Sequence, residues 1–280
     1  MTSAIRNAAA AVLFGLTAAG ANAANVLVVL SDASQLELRD NRTFDTGFYA
    51  NELMQPVKKL LDAGHTVTFA TPLGKAPSLD RNSVDKSYFN NDEASMQQHL
   101  ALLDKLRITS VEQSPVISLA RVEQGGYGRY DAVYVPGGHA PMQDLLHSAA
   151  LGRLLRDFHA RAKPTALVCH GPIALLSALD QPERFTGTLA SASASAAPAW
   201  IYAGYRMTVI SNSEEEAAKP MLNGGTMKFL PQTALQRAGG DYSSAANWQS
   251  KVVVDRELIT GQNPASASAV ADQLLSRLAH

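Results

Sequence analysis

The stretch ALVCHGPIALL, residues 166–176, carries the single cysteine of the chain, Cys169, followed at once by His170, Gly171 and Pro172. A thiol beside an imidazole is a nucleophile beside a base, and the thiolate is the reactive form. The flanks say where the pair sits. TALVC reads as a buried strand, and Pro172 occupies a favoured first helical position. Cys169 then lies at a strand end, facing the positive end of a helix dipole and free backbone N–H groups, both of which favour thiolate over thiol. Gly171 permits the sharp strand-to-helix turn of a nucleophile elbow. An isolated cysteine can equally be a small core hydrophobe, and one cysteine cannot pair within its own chain. Cys169 is therefore an inert core thiol or a reactive one, and the adjacent His-Gly-Pro favours the second.

The surrounding elements alternate. NVLVVLS (25–31) reads as a buried strand. Leu53, Val57, Leu60 and Leu61 recur at helical spacing, with Gly64 at a C-terminal cap and Pro56 either in the first turn or kinking the helix. HTVTFATP supplies a second strand, so the opening is a βαβ unit and implies a parallel sheet. Residues 73–128 are polar and irregular apart from one amphipathic candidate, DEASMQQHLALLDKL, and predict a small inserted cap. YDAVYVPGG (130–138) resumes the buried-strand signature. Leu151, Leu154, Leu155 and Phe158 mark a helix, and PIALLSAL predicts another from Pro172. Residues 190–197 are Ala/Ser-rich and predict a surface loop, residues 200–210 look strand-like, KVVVDRELITG predicts a hairpin, and the chain closes in a helix with Ala267, Val270, Ala271, Leu274 and Leu278 on one face. The expected architecture is one doubly wound, mostly parallel α/β domain over residues 24–280, flavodoxin-like, with ligands at the C-terminal strand ends.

Composition narrows the function. The 280 residues are 46% hydrophobic, with 24 basic against 25 acidic side chains and a formal net charge of −1. No Lys/Arg block offers a footprint for nucleic acid or an anionic membrane. The first residues, MTSAIRNAAAAVLFGLTAAGANA, place Arg6 before a short apolar run and Ala21-Asn22-Ala23, the layout of a secretory signal peptide (1–23). Cleavage after about Ala23 would put the mature protein in the periplasm or outside the cell, away from the membrane. None of the seven histidines falls in a ligand-spacing motif such as H-E-x-x-H, so no metal and no cofactor is expected.

ALVCHGPIALL together with YDAVYVPGGHAPMQDL resembles the DJ-1/PfpI superfamily, a class I glutamine amidotransferase-like group, and TGFYANELMQP and LITGQNPASA are similar to its Hsp31-like branch of glutathione-independent glyoxalases and stress chaperones. The motifs run in family order from about Asn25 to Leu278. Position by position, the resemblance implies Cys169 as nucleophile, His170 as its partner, Glu52 as the acid beside the sulfur, and Glu215 of NSEEEA as the acid that orients the histidine. Beside a thiolate, Glu52 should be held protonated by desolvation and like charge. For Glu215 a structural reading competes, because Ser213 and Glu216 match a capping box. PGGHA should form the loop facing a developing oxyanion, with Gly138 supplying backbone and His139 either positioning the loop or touching substrate. Hsp31-like sequences usually carry glycine after that histidine, where this chain has Ala140.

The implied reaction is cofactor-free conversion of a small 2-oxoaldehyde such as methylglyoxal to D-lactate through a hemithioacetal on Cys169, a lyase of the glyoxalase III type serving aldehyde detoxification. Three alternatives use related sites: a deglycase acting on glycated proteins or nucleotides, a holding chaperone for unfolded proteins, and a cysteine amidase or peptidase. The resemblance also implies a homodimer.

Overall fold

The computed structural model describes residues 23–193 and 196–279. The expected signal peptide, apart from Ala23, lies outside the described residues. Along the chain run β1 (Asn25–Val29), a small hairpin of β2 (Gln35–Glu37) and β3 (Thr43–Asp45), α1 (Ala50–Asp62), β4 (Thr66–Thr71), α2 (Glu93–Leu106), β5 (Ile117–Ser118), α3 (Leu119–Gly125) and β6 (Ala132–Val135). Then follow α4 (Ala149–Ala160), β7 (Thr165–Val168), α5 (Pro182–Ala190), β8 (Arg206–Met207), α6 (Asn212–Ala218), α7 (Pro231–Ala238), β9 (Asp241–Tyr242), β10 (Val252–Asp255), β11 (Leu258–Gly261) and α8 (Ala267–Leu278).

Seven strands form the central sheet in the order β10-β11-β7-β6-β1-β4-β5. All neighbours pair parallel except the edge hairpin β10-β11. The chain winds from β1 outward to β4 and β5, then returns to the other side of β1 with β6, β7 and β11. This reversal opens a crevice at the C-terminal ends of β1 and β6, where doubly wound sheets bind ligands. Every residue of β6, β7 and β11 is buried, as their unbroken apolar runs require of strands covered on both faces. On α1, Leu53, Val57 and Leu60 are fully buried, each worth about 1.5–3 kcal/mol of transfer from water. Gly64 follows the helix with φ +83°, as the cap position demands.

Four sequence expectations change. Residues 73–128 are not wholly a cap: α2 packs on α1, but Ile117–Ser118 joins the sheet as its edge strand, and two residues are too few to show a period. Residues 171–178 form a 3-10 helix with every residue buried, because a segment apolar on all sides has no face to set an α-helical register. In residues 200–210 only Arg206–Met207 is strand. The aromatic alternation there instead builds an edge-to-face stack, Trp200 on Tyr202 at 5.6 Å and Tyr202 on Tyr205 at 5.5 Å. The capping box of α6 is Ser211 with Glu214, two residues before the pair the pattern suggested. Ser211, not Ser213, is the last extended residue before the helix.

Candidate active site

Cys169 follows β7 directly and takes a left-handed backbone, φ +59°. A non-glycine residue there is uncommon, and the strain marks the elbow. The sharp turn is thus made by the cysteine itself rather than by Gly171. It is held by two backbone hydrogen bonds: Cys169 N–H donates to Gly261 O at 2.9 Å, and Ile210 N–H donates to Cys169 O at 3.1 Å. Gly171 serves close approach, since a Cβ there would lie 2.5 Å from Val135 O. A Cβ on Gly137 would lie 2.7 Å from Glu52 Oε2 and 2.8 Å from Cys169 Cβ, so the PGG loop can approach the sulfur only as glycine.

The sulfur, imidazole and carboxylate form a relay. Cys169 Sγ lies 3.3 Å from His170 Nδ1, and His170 Nε2 lies 2.7 Å from Glu215 Oε1. All three side chains are buried. A carboxylate at Nε2 fixes the proton on that nitrogen and leaves the Nδ1 lone pair aimed at sulfur, the arrangement a general base needs. Glu215 thus reaches the histidine, as the resemblance implies, while the capping role falls to its neighbour.

Glu52 is fully buried in the first turn of α1, and its Oε2 accepts a hydrogen bond from Gly137 N–H at 2.8 Å. Burial raises its pKa to about 8, against partial relief from the Cys169 thiol and the Gly137 N–H, so at neutral pH the carboxyl is mostly protonated. Its seat has a specific cause. Pro56 lies inside α1 and has no N–H, which deprives the Glu52 carbonyl of its helical donor. Tyr134 Oη, reaching from β6, donates to that carbonyl instead.

The sequence expectation for the sulfur needs correction. Burial pushes the Cys169 thiol up, and a charge on Glu52 pushes it further; only the Gly138 N–H among the leading causes pulls it down. The segment after the cysteine is a buried 3-10 helix. Cys169 and Glu52 are thus both pushed toward the protonated form, chiefly by burial.

His139 packs against His170 with ring centroids 4.2 Å apart and meets Phe44 edge-on at 5.4 Å. Burial and the neighbouring His170 lower its pKa well below the usual value, so it stays neutral. Its Nδ1 is buried without a hydrogen-bond partner. The Gly138 N–H faces the sulfur, whereas the Gly137 N–H is already committed to Glu52. Ala140 is buried and its carbonyl accepts from Ser31 Oγ at 3.2 Å, so the alanine is accommodated inside the loop.

His139, His170 and Glu215 also present ligand atoms within 4.8 Å of one another. Motif spacing gave no hint of this trio because it assembles across β6, β7 and α6. Two imidazoles and a carboxylate suit a borderline divalent cation such as zinc. Such an ion would compete with the His170–Glu215 hydrogen bond, so metal binding and the relay oppose one another.

The structure adds Glu214, which sequence reasoning passed over. It is fully buried and accepts hydrogen bonds from Ser211 N–H, Ser211 Oγ, Gln262 Nε2, Asn263 Nδ2 and Trp248 N–H, all at 2.8–3.0 Å. These donors hold its pKa down against burial. Glu214 therefore anchors the loops flanking Glu215. Its signal was present as the S-x-x-E spacing from Ser211.

The family described as ThiJ/PfpI family-like matches residues 44–228, which hold the cysteine elbow, the PGG loop and both acids. The chain belongs to the ThiJ/PfpI family. Within the wider DJ-1/PfpI superfamily its likenesses fall on the Hsp31-like side. A protein/nucleic acid deglycase HchA of Staphylococcus aureus is 25% identical over 245 residues, 87% of this chain and 76% of that protein. The Rapid Encystment Protein 24 kDa of Francisella tularensis superposes with a TM-score of 0.69 at 26% identity, covering 91% of this chain and 99% of the other. Glyoxalase III of Candida albicans shares the fold, with a TM-score of 0.63 at 18% identity over 91% of this chain and 97% of its own. The doubly wound fold is thereby shown, and two of these three relatives carry enzyme names.

Proposed function

We propose that the protein is a glutathione-independent glyoxalase that converts methylglyoxal and water to D-lactate on Cys169. The observation that carries this reading is the protonated Glu52 set beside a thiol whose other neighbour is the free Nδ1 of His170. The site thus holds a nucleophile, a base and an acid around one sulfur.

His170 Nδ1 takes the thiol proton as Sγ adds to the aldehyde carbon, and Glu52 protonates the resulting alkoxide, giving a neutral hemithioacetal. The Glu52 carboxylate then removes the proton from that carbon. The electron pair moves into a carbon–carbon double bond, and the former ketone oxygen, facing the Gly138 N–H, takes the imidazolium proton to complete the enediol. Glu52 returns its proton to the second carbon while His170 accepts the hydroxyl proton of the first, leaving a lactoyl thioester. Water adds to the thioester, its proton restores Glu52, and the thiol leaves with the imidazolium proton. The net change is addition of one water to one methylglyoxal.

Lactate formation from methylglyoxal without added thiol tests this: Cys169→Ser should abolish it, and retained activity sinks the proposal. The likeness to the Staphylococcus aureus deglycase supports a second reading, in which the same thiol removes early glycation adducts. Rates on free methylglyoxal and on preformed adducts separate the two. We further propose an exported protein, whose mature N-terminus would read near Ala24.

A further inference from the structure

The PGGHA loop is tied to the end of β1 by one hydroxyl that has two acceptors. Ser31 is buried just past β1, and its Oγ lies 2.6 Å from Asp144 Oδ1 and 3.2 Å from Ala140 O. A hydroxyl carries one proton and two lone pairs, and one lone pair of Ser31 already accepts from Ala33 N–H at 2.9 Å. The proton therefore serves Asp144 or Ala140, not both at full strength. At 2.6 Å the first contact has the length of an O–H donated to a charged carboxylate. Asp144 Oδ2 accepts from Asp32 N–H at 2.9 Å, and Ala140 O keeps the Gln143 N–H at 2.9 Å whichever way the hydroxyl points. Ala140 directly follows His139, whose ring packs on His170, and Gly138 before it turns its N–H to the sulfur.

Adding a proton to Asp144 Oδ1 reverses the first contact. The new O–H donates to the remaining lone pair of Ser31 Oγ, and the Ser31 proton turns to Ala140 O, so every partner stays satisfied in both forms. Asp144 is set up for that step: burial raises its pKa from 3.8 to about 6, the Ser31 hydroxyl and the Asp32 N–H pull it back, and the Asp32 carboxylate raises it further. Asp32 is the charge that faces it from the end of β1, held there by Leu73 N–H at 2.6 Å and Lys75 N–H at 3.1 Å. Charges on the other elements packed against the loop are engaged elsewhere. Glu37 of β2 pairs with Lys228 at 2.6 Å, Glu183 of α5 bears on His147, and residues 171–178 carry no titratable side chain. Within the loop itself, His147 Nε2 contacts Thr186 Oγ1 at 2.8 Å and His139 stays neutral.

We infer that Ser31 and Asp144 are a positioning pair for the Gly138–His139 loop, in which one hydroxyl proton moves between the Asp144 carboxylate and the Ala140 carbonyl as Asp144 loses or gains a proton. In the acidic form the pair pins the loop at Ala140. In the ionised form that carbonyl is released, and the loop is held through Asp144. This rests on the glyoxalase reading only where turnover is measured, because the proton swap can be read in the resting protein.

Labelling with carbonyl-13C alanine and 15N proline gives carbon–nitrogen NMR correlations from Ala–Pro bonds only, of which the chain has three, at 76–77, 140–141 and 197–198. The signal missing from Ala140→Gly protein identifies Ala140. Titrated between about pH 4 and pH 8, a span that covers carboxyl and imidazole groups, that carbonyl should move downfield as the pH falls and the hydroxyl turns to it. The shift should have a single midpoint near 6. Asp144→Asn and Ser31→Ala should each abolish the midpoint, and its survival in either variant overturns the swap. If the variants fail to fold, the parent titration still decides, since a carbonyl that does not move over this range overturns the swap as well. In turnover of methylglyoxal, the parent kcat/KM should inflect near the same midpoint and Asp144→Asn should lose the inflection. A loss of rate equal at every pH would make Asp144 merely structural and overturn the positioning role. Should none of these proteins form lactate, the reaction reading fails, and the carbonyl titration still decides the pair.

Discussion

Replacing Glu52 with Gln should make the protein more stable at neutral pH while disabling it. In the folded state Glu52 keeps its proton up to about pH 8, whereas its ordinary value is 4.5. Between those pH values the native state binds a proton that the unfolded chain has released, so stability falls as pH rises, by about 1.4 kcal/mol per unit. By pH 7 the accumulated cost is about 3 kcal/mol. Glutamine keeps the carbonyl that accepts from Gly137 N–H and places an amide where the protonated oxygen stood, but has nothing to ionise. The Cys169 thiol adds no slope below pH 7.5, because it is protonated in both states there. Denaturant unfolding at pH 5, 6 and 7 should therefore show the Glu52→Gln protein gaining on the parent, with the gap widening to about 3 kcal/mol at pH 7. Turnover should fall about a hundredfold or more, since the amide cannot shuttle a proton. Parallel pH profiles for the two proteins would refute the claim that burial holds Glu52 protonated.

Three further outcomes follow from the same geometry. Glu215→Gln should keep the fold but lower kcat about a hundredfold or more, because the amide can donate to Nε2 and favour the tautomer whose Nδ1 carries the proton; a change in KM alone would contradict this. Glu214→Ala should cost about 3–5 kcal/mol in denaturant unfolding at pH 7, since five donors lose their acceptor. As the Glu214 pKa is lowered in the folded state, that difference should be full above its ordinary value of 4.5 and shrink as pH falls below it. Zinc should inhibit lactate formation, EDTA should reverse the inhibition, and His139→Ala should raise the zinc concentration required about tenfold or more; equal sensitivity in the variant would remove His139 from the trio.

What could be read in the residues, and what could not, divides by range. The buried strands at 25–29, 132–135 and 165–168, the amphipathic faces of α1, α4 and α8, and the closing hairpin are local patterns, and each forms where its period lies. Edge strand β5 is two residues long and exists only because β4 offers an open side. The 3-10 segment at 171–178 has a composition any buried helix could share. The motifs name Cys169, His170, Glu52 and Glu215, and the structure brings these four side chains together. A helix terminus near the Cys169 thiol can be read locally, whereas the burial and the facing Glu52 carboxyl that push the thiol up cannot. Tyr134 and Pro56 illustrate the same limit: a missing N–H is visible at Pro56, but the phenol that answers it arrives from a strand eighty residues on.

The most direct measurement is rapid-quench mass spectrometry of the protein during turnover of methylglyoxal without added thiol. A mass increase of one methylglyoxal on the peptide bearing Cys169, forming and decaying at rates that support lactate release, is the predicted result. Lactate release at full rate with that peptide unmodified throughout would contradict covalent catalysis at this sulfur.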